Sequence, residues 1–407
     1  MKRTLSAATV PFLLALGACS GGSKSSTAQP PATSDAGGVG RTDGGPAAEG
    51  GDNGDDGGAP GDDSNAPTEF DTTLSGTDVV PPVQTGATGT AKFLLQPDNI
   101  TLTYTIDLTN VPNPTAVSLH IGGPGEVAGV THALVPVGAL MAGQLPLTLA
   151  EQDALAADMM YLDVETQSHV GGEVRGQLVP PGSTVFIAMP TGAQEISPPV
   201  MSAYSAHASF ILSADQGTVR YHIATDATPT DLTVNSGIGG LVGQGVYPLA
   251  GALDGTIQLG DARPLQSGQL YLNIVTQAHP TGELRGQIVL PGETLFTAVL
   301  SGQNEVPSAP SRASGAAQAI LSPTHNSIRY QVVVSGTVPT AVELFNAPPT
   351  MNAPQPMYQL TLGPTGAQGT LDMTASDAAQ LGMGGVYVNV LSQSVPSGEL
   401  RGQLARQ

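Results

Sequence analysis

The chain reads as an all-β protein: three tandem antiparallel β-sandwich domains of Greek-key character, preceded by a disordered tether. One polar-apolar stretch is written three times, as Gly172-Glu173-Val174-Arg175-Gly176-Gln177, Gly282-Glu283-Leu284-Arg285-Gly286-Gln287 and Gly398-Glu399-Leu400-Arg401-Gly402-Gln403. The copies lie 110 and then 116 residues apart, a domain period and not the roughly 20–50 residues of a solenoid. Between them run short alternating segments punctuated by 52 glycines and 34 prolines, which favour many short strands and turns over long helices.

Residues 1–18 read as a signal segment, to be left out of fold reasoning. Lys2 and Arg3 form a basic start, and Leu5 to Leu16 an apolar stretch too short to span a bilayer. It ends in Leu16-Gly17-Ala18-Cys19, which resembles the bacterial lipobox; that resemblance implies a lipidated Cys19 as the mature N-terminus. A plain signal peptide cut nearby is the other reading. Cys19 is the only cysteine, so no intramolecular disulfide can form, and several acyl chains anchor stably where one does not. Ser20, in place of an aspartate resembling an inner-membrane retention signal, favours the outer membrane. The expected location is the cell envelope, lipid-anchored.

Residues 19–67 are rich in Gly, Ala, Ser, Pro and Asp, with scarcely a large apolar side chain. Such a segment cannot bury enough surface to offset its ordering entropy and is expected to be disordered. As a flexible tether it would hold the domains on the order of 40 Å from the anchor. The run from Gly50 to Gly57 lacks the ligand order of a calcium-binding EF-hand loop and reads as solvated spacer.

The domains are expected at 68–182, 183–292 and 293–407. In the first, Ile100, Leu102, Tyr104, Ile106 and Leu108 alternate with polar residues and predict a strand with one buried face. Ala91–Leu95 precedes it across the turn signal Gln96-Pro97-Asp98-Asn99, predicting an antiparallel hairpin. Ala206–Leu212 with Thr218–Ile223, and Ala316–Leu321 with Ser327–Val334, repeat the device. Thr148 and Glu151 form a capping-box pattern ahead of a short helix, and Thr374–Leu381 takes its place in the third copy. In the second copy Pro264 interrupts the pattern, so only a turn is expected there. The final hairpin runs from Tyr161–Val164 through Gly171 and Gly172 into Glu173–Leu178. Linkers as short as 181–183 and 291–293 predict a semi-rigid rod.

A net charge of −20 with three lysines repels nucleic acid, which is excluded as a partner. The chain lacks tryptophan, which argues against a sugar-stacking site. It also lacks a Gly-x-Ser-x-Gly elbow, a His-Glu-x-x-His helix and a Walker loop, and the lone cysteine leaves no thiol chemistry.

The repeated residues resemble the CHRD domain, a module named after chordin and found in many bacterial secreted proteins. Its opening pattern is matched by Leu74-Ser75-Gly76-Thr77-Asp78-Val79-Val80-Pro81-Pro82, by Pro190 to Pro198, and by Leu300-Ser301-Gly302-Gln303-Asn304-Glu305-Val306-Pro307. Its closing pattern is matched by the Tyr161, Tyr271 and Tyr387 runs and by the three Gly-Glu-x-Arg-Gly-Gln copies. The resemblance covers about 69–405. It implies an extracytoplasmic β-sandwich and carries no implication of an enzyme. Many members have histidines similar to those of copper/zinc superoxide dismutase; here that set is reduced to His120 in the first copy, with Asn235 and Phe345 at the matching positions. Only the first domain offers a candidate metal set, His120, His132, Glu165 and His169, against the three or four convergent ligands such a site needs.

Within each closing strand the Glu, Arg and Gln share one face. Glu173, Arg175, Gln177, Glu283, Arg285, Gln287, Glu399, Arg401 and Gln403 are expected to tie that strand to its loops, the arginine capping carbonyls of a crossing loop. A repeated ligand contact suited to a polymer is the functional alternative. The expected function is that of a non-catalytic lipoprotein without a cofactor, whose three modules serve adhesion, protein binding or envelope structure, with an unidentified protein or polymer partner. The competing expectation is a degenerate dismutase-like metal-binding protein with any site in the first domain.

Overall fold

The computed structural model describes residues 66–407 apart from Ser197 and Pro364. The signal at 1–18, Cys19 and nearly all of the tether lie outside the described residues. The first domain runs β1 (Thr68–Ser75), β2 (Thr88–Leu95), β3 (Thr101–Asp107), β4 (Pro114–Ile121), β5 (Val130–Leu134), β6 (Leu140–Pro146), α1 (Leu149–Ala156), β7 (Met160–Thr166) and β8 (Val174–Gln177). The strands pair in the order β5-β4-β7-β8-β1-β2-β3-β6, antiparallel throughout. Two four-stranded layers, β5-β4-β7-β8 and β1-β2-β3-β6, enclose one core in which Leu74, Phe93 and Ile106 meet Leu119, Leu162 and Val174.

The layers touch along one seam, between β1 and β8. Ser75 pairs with Arg175 there, and Asp71 bridges Val179. The second domain repeats the arrangement as two separate four-stranded sheets, joined by isolated bridges from Thr191 to Arg285 and from Ile187 to Val289. In the third domain the ladder is continuous through Ser301 and Arg401. The glycine inside the closing strand makes the seam possible. A Cβ on Gly176 would lie 2.5 Å from the carbonyl oxygen of Thr73, on Gly286 2.8 Å from the Pro190 nitrogen, and on Gly402 2.6 Å from the Val299 carbonyl oxygen.

Local chemistry accounts for most of the elements. The capping box at α1 is made, with Glu151 N donating to Thr148 Oγ1 and Thr148 N to Glu151 Oε2. Thr374 caps the corresponding helix Ala375–Gly382. In the second domain a one-turn helix, Arg263–Gln266, replaces the expected turn: Pro264 sits in its first turn, where a missing N–H breaks no helical bond. Ile100 does not join the buried face expected of it and is 50% exposed. Asp98 Oδ1 accepts from the amides of Ile100 and Thr101 at 2.9 and 2.8 Å, holding Ile100 in the turn ahead of β3. No helix among the described residues is long and apolar enough to cross a membrane.

Gly286→Ala is expected to destabilise the chain by roughly 2–3 kcal/mol, because its new Cβ meets backbone that cannot yield. Gly260→Ala, with open space around the site, is expected to change stability by about 0.5 kcal/mol or less. Urea denaturation of both variants beside the parent protein checks the pair.

Candidate functional site

The closing strand of each module carries a charged side chain into the interior. Arg175, Arg285 and Arg401 are only 3%, 3% and 1% exposed, so their donors must find acceptors inside the protein. They find them on the loop that leaves the fourth strand of the module. Arg175 donates to the carbonyls of Gly123 (2.9 Å) and Glu126. Arg285 donates to Ile238 and Leu241 at 2.9 and 2.8 Å. Arg401 donates to Pro348, Met351 and the Asn352 side chain at 3.0, 2.8 and 2.8 Å.

Each guanidinium carbon also sits over a tyrosine ring of the neighbouring strand, 3.4 Å from the Tyr161 ring centre, 3.6 Å from that of Tyr271 and 3.5 Å from that of Tyr387. On the fourth strand, ladder register sets His120, Asn235 and Phe345 opposite these tyrosines. His120 and Phe345 stack on their rings at 4.6 and 5.2 Å, and Asn235 Nδ2 donates to the Tyr271 hydroxyl at 3.2 Å. Burial pulls the Arg175 and Arg285 pKa values below their ordinary value.

Two residues on, the glutamine fixes the same loop. Gln177 Nε2 donates to Gly122 and Asp158, Gln287 Nε2 to Gly237 and Gly268, and Gln403 Nε2 to Ala347 and Gly384. Two residues before the arginine, the glutamate gathers donors from the neighbouring strand end and from surrounding loops. Glu173 accepts from Thr166 at 2.8 Å and from Thr85 and His169. Glu283 accepts from Ser202 and Thr276, both at 2.6 Å, and Glu399 from Ser311 and Thr337, both at 2.7 Å. These bonds hold the Glu283 pKa below the usual carboxylate value. At Glu173 and Glu399 burial works to raise the pKa, and the hydroxyl bonds outweigh it.

A second acid stands beside each arginine. Burial raises Asp78 to about 7 and Asp163 to about 6, against the attraction of Arg175. It raises Glu195 beside Arg285, and it raises Glu305 to about 7 beside Arg401. The carrier of that charge changes between modules. Against Gly172 the neighbours are Asp163 and Val79, against Gly282 they are Asn273 and Glu195, and against Gly398 they are Asn389 and Glu305. A carboxylate on the seventh strand in one module is thus replaced by a carboxylate on the entry loop in the other two.

The candidate metal ligands of the first domain are not brought together. His120 Nε2 is 2.8 Å from Ser118 Oγ and its Nδ1 2.9 Å from the Ala128 carbonyl. His132 Nε2 lies 2.8 Å from Glu151 Oε1, an ion-pair distance outside hydrogen-bond geometry, and His169 is bound to Glu173. Glu165, half-buried on β7, joins none of them as a hydrogen-bond or ion-pair partner. Among the described residues no group of three or more His, Cys, Asp or Glu is placed to hold a metal ion. His120 instead occupies the outer layer of the Arg175–Tyr161 stack, where asparagine or phenylalanine serves as well.

Compared with known families, the chain matches the CHRD domain three times, over residues 70–178, 186–288 and 296–404. The chain belongs to the CHRD-domain family. It is 26% identical to Chordin of Xenopus laevis over 247 residues, which are 54% of this chain and 26% of that relative. The chain therefore matches about a quarter of the relative's length. No solved structure matches it.

The tyrosine is the member of the CHRD constellation that sequence reasoning placed in the closing pattern without giving it a role beside the arginine. Its signal was available: Tyr161, Tyr271 and Tyr387 each precede the signature arginine by 14 positions. A groove of about 1110 Å³ between the first two modules, lined among others by Thr73, Asp78, Lys92, Ile187, Met189 and Pro291, also left no mark on the sequence. Its Asp78 owes its raised pKa to burial beside an arginine, as Glu305 does far from the groove.

Removing the guanidinium in Arg285→Ala strands two buried carbonyls and is expected to lower stability by about 3–5 kcal/mol. Arg285→Lys, a single point donor without the planar stack, is expected to recover only part of it; calorimetry of the two variants checks both values. Glu305 adds a pH dependence of definite sign. Burial pushes its carboxyl up to about 7 in the native protein from the ordinary 4.5, so the native state holds more protons between those values and stability falls as pH rises through that window. Glu305→Gln is expected to raise the melting temperature above pH 7, by up to roughly 3 kcal/mol of stability, and to match the parent below about pH 4.5. Melting curves from pH 4 to 8 test the sign.

Proposed function

We propose that this CHRD-domain protein is a non-catalytic, extracytoplasmic lipoprotein whose three modules are rigid binding and structural units. One observation carries the reading: the charged side chains repeated in every module are spent on the protein's own backbone and hydroxyls. Arg175, Arg285 and Arg401 give their donors to loop carbonyls, and Glu173, Glu283 and Glu399 accept from neighbouring hydroxyls. A catalytic acid, base or oxyanion donor has to face a substrate, and these face inward. The signature residues act as a lock that closes each sandwich and shapes one loop.

The surface left for partners is that of the modules and of the groove between the first two. The acidic chain repels nucleic acid, so the partner is a protein or polymer of the envelope. The Leu16-Gly17-Ala18-Cys19 signal supports anchoring through acyl chains on Cys19, with the outer membrane as the destination.

The anchor is tested by expressing the parent and Cys19→Ser chains with labelled palmitate. The parent is expected to take up label and fractionate with outer membranes, and the variant to lose the label and move to the soluble fraction. An unlabelled parent, or a variant held equally in the membrane, would remove the anchor from the proposal.

A further inference from the structure

All three modules turn the same corner after their first strand, and the first turns it with a different chemistry. Each corner is a single 3-10 turn, Gly76–Asp78, Gly192–Gln194 and Gly302–Asn304. The pairs Ser75–Arg175, Thr191–Arg285 and Ser301–Arg401 set the corners in register, so Asp78, Gln194 and Asn304 are equivalent. Gln194 Nε2 donates to the Met189 carbonyl at 3.0 Å, and its Oε1 accepts from Gln287 N at 3.3 Å. Asn304 Nδ2 donates to the carbonyls of Val299 and Arg401 at 3.3 and 3.0 Å. In both modules an amide seals the corner. An ionised Asp78 has no proton to give the corresponding Thr73 and Arg175 carbonyls. Among the described residues it makes no hydrogen bond, and only burial and the charge of Arg175 act on it.

That unsealed corner lines the groove of about 1110 Å³ between the first two modules, just above the roughly 300–1,000 Å³ of small-ligand sites. The joint holds the groove in shape. Arg220 of the second module meets Asp158 of the first at 2.9 Å, Gly125 packs against the His207 imidazole, and Gly292 lies against Thr77. The walls are aliphatic: Val80, Pro81 and Pro82 come from the first module, and Val185, Ile187 and Met189 from the second. Among the described residues no aromatic side chain lines it, so a sugar finds no ring to stack on. Its cations are already engaged, Lys92 with Glu69 at 2.6 Å and Arg175 with the Gly123 and Glu126 carbonyls. Of its acids, Asp107 accepts from Thr109 N at 2.9 Å. Asp71 Oδ1 and the Asp78 carboxyl have no hydrogen-bond partner among the described residues. The charge this groove lacks is positive.

We propose that the groove seats a segment of a partner protein in which aliphatic side chains flank one lysine or arginine, whose cation meets Asp78. A partly desolvated carboxylate without a partner favours a cation over a neutral or acidic group. The aliphatic walls accept the flanking side chains through burial of apolar area. This rests on the reading of the modules as binding units and names where they bind and what they recognise. Asp78 sets the charge preference, and Gln194 and Asn304 have closed the equivalent corner in the other two modules.

Two variants of the full chain test this. Asn304 shows that an amide seals this corner, so Asp78→Asn removes the charge and leaves the fold a partner for its carbonyls. Ala142→Trp, at an exposed position of β6 on the groove wall, fills the groove instead. A phage-displayed library of random heptapeptides is selected on the unaltered chain at pH 8, above the Asp78 pKa of about 7. Selection is expected to enrich aliphatic peptides carrying one basic residue. The enriched peptide, synthesised, is expected to lose about tenfold or more in affinity for each variant, and also when norleucine replaces its basic residue. The melting temperature of Asp78→Asn is expected to be no lower than that of the parent, which separates lost charge from lost fold. No enrichment, enrichment of peptides without a basic residue, or unchanged affinity for Asp78→Asn would overturn the inference. Binding that survives Ala142→Trp would also overturn it, by moving the site elsewhere while leaving the modules as binding units. The palmitate experiment on the anchor is independent of all these outcomes.

Discussion

A guanidinium buried inside a small β-sandwich is the constraint to which the other features of each module answer. Leaving a charge away from water is costly unless its donors are met and its field is balanced. Here the donors are met by carbonyls of one loop, the flat face by a tyrosine ring, and the field by an acid that is itself partly neutralised by burial. The loop has no regular strand pairing of its own at these carbonyls, so the arginine and glutamine supply the partners its backbone lacks. Closing the sandwich and shaping that loop are one event.

The variation among the three modules separates what the lock requires from what it tolerates. The layer beyond the tyrosine is histidine, asparagine or phenylalanine; His120 and Phe345 stack on the ring, while Asn235 bonds its hydroxyl. The neighbouring acid moves from Asp163 to Glu195 and Glu305, arriving from opposite sides of the same glycine. A long-range field can be balanced from either side, whereas the planar donor fork and the ring beneath it have no substitute geometry. The invariant members in this chain are therefore the glutamate, the arginine, the glutamine, the tyrosine and the glycine that admits the crossing strand.

Much of this was legible in the linear chain because it depends on local rules. The capping box at Thr148 and the turn around Asp98 require only residues a few positions apart, and the alternation in β3 reports its buried face. The closing strand announced itself by repetition. The misreadings have equally specific causes. Pro264 looks like a helix breaker until it falls in a first turn, and Ile100 looks like a strand residue until the Asp98 side chain claims its amide. His120 looks like a surviving metal ligand until Tyr161 lies beneath it.

From its sequence alone the protein is determined to be a threefold β array with a polar closing strand, since repeat period, alternation and turn residues are properties of the linear order. Only the tertiary structure decided what the arginines hold and where one module meets the next. The carbonyls they bind lie about 50 residues upstream in the chain, and backbone oxygens carry no residue identity to read. The joints rest on glycines whose importance is the space beside them, and that space is defined only once the neighbouring module is in place.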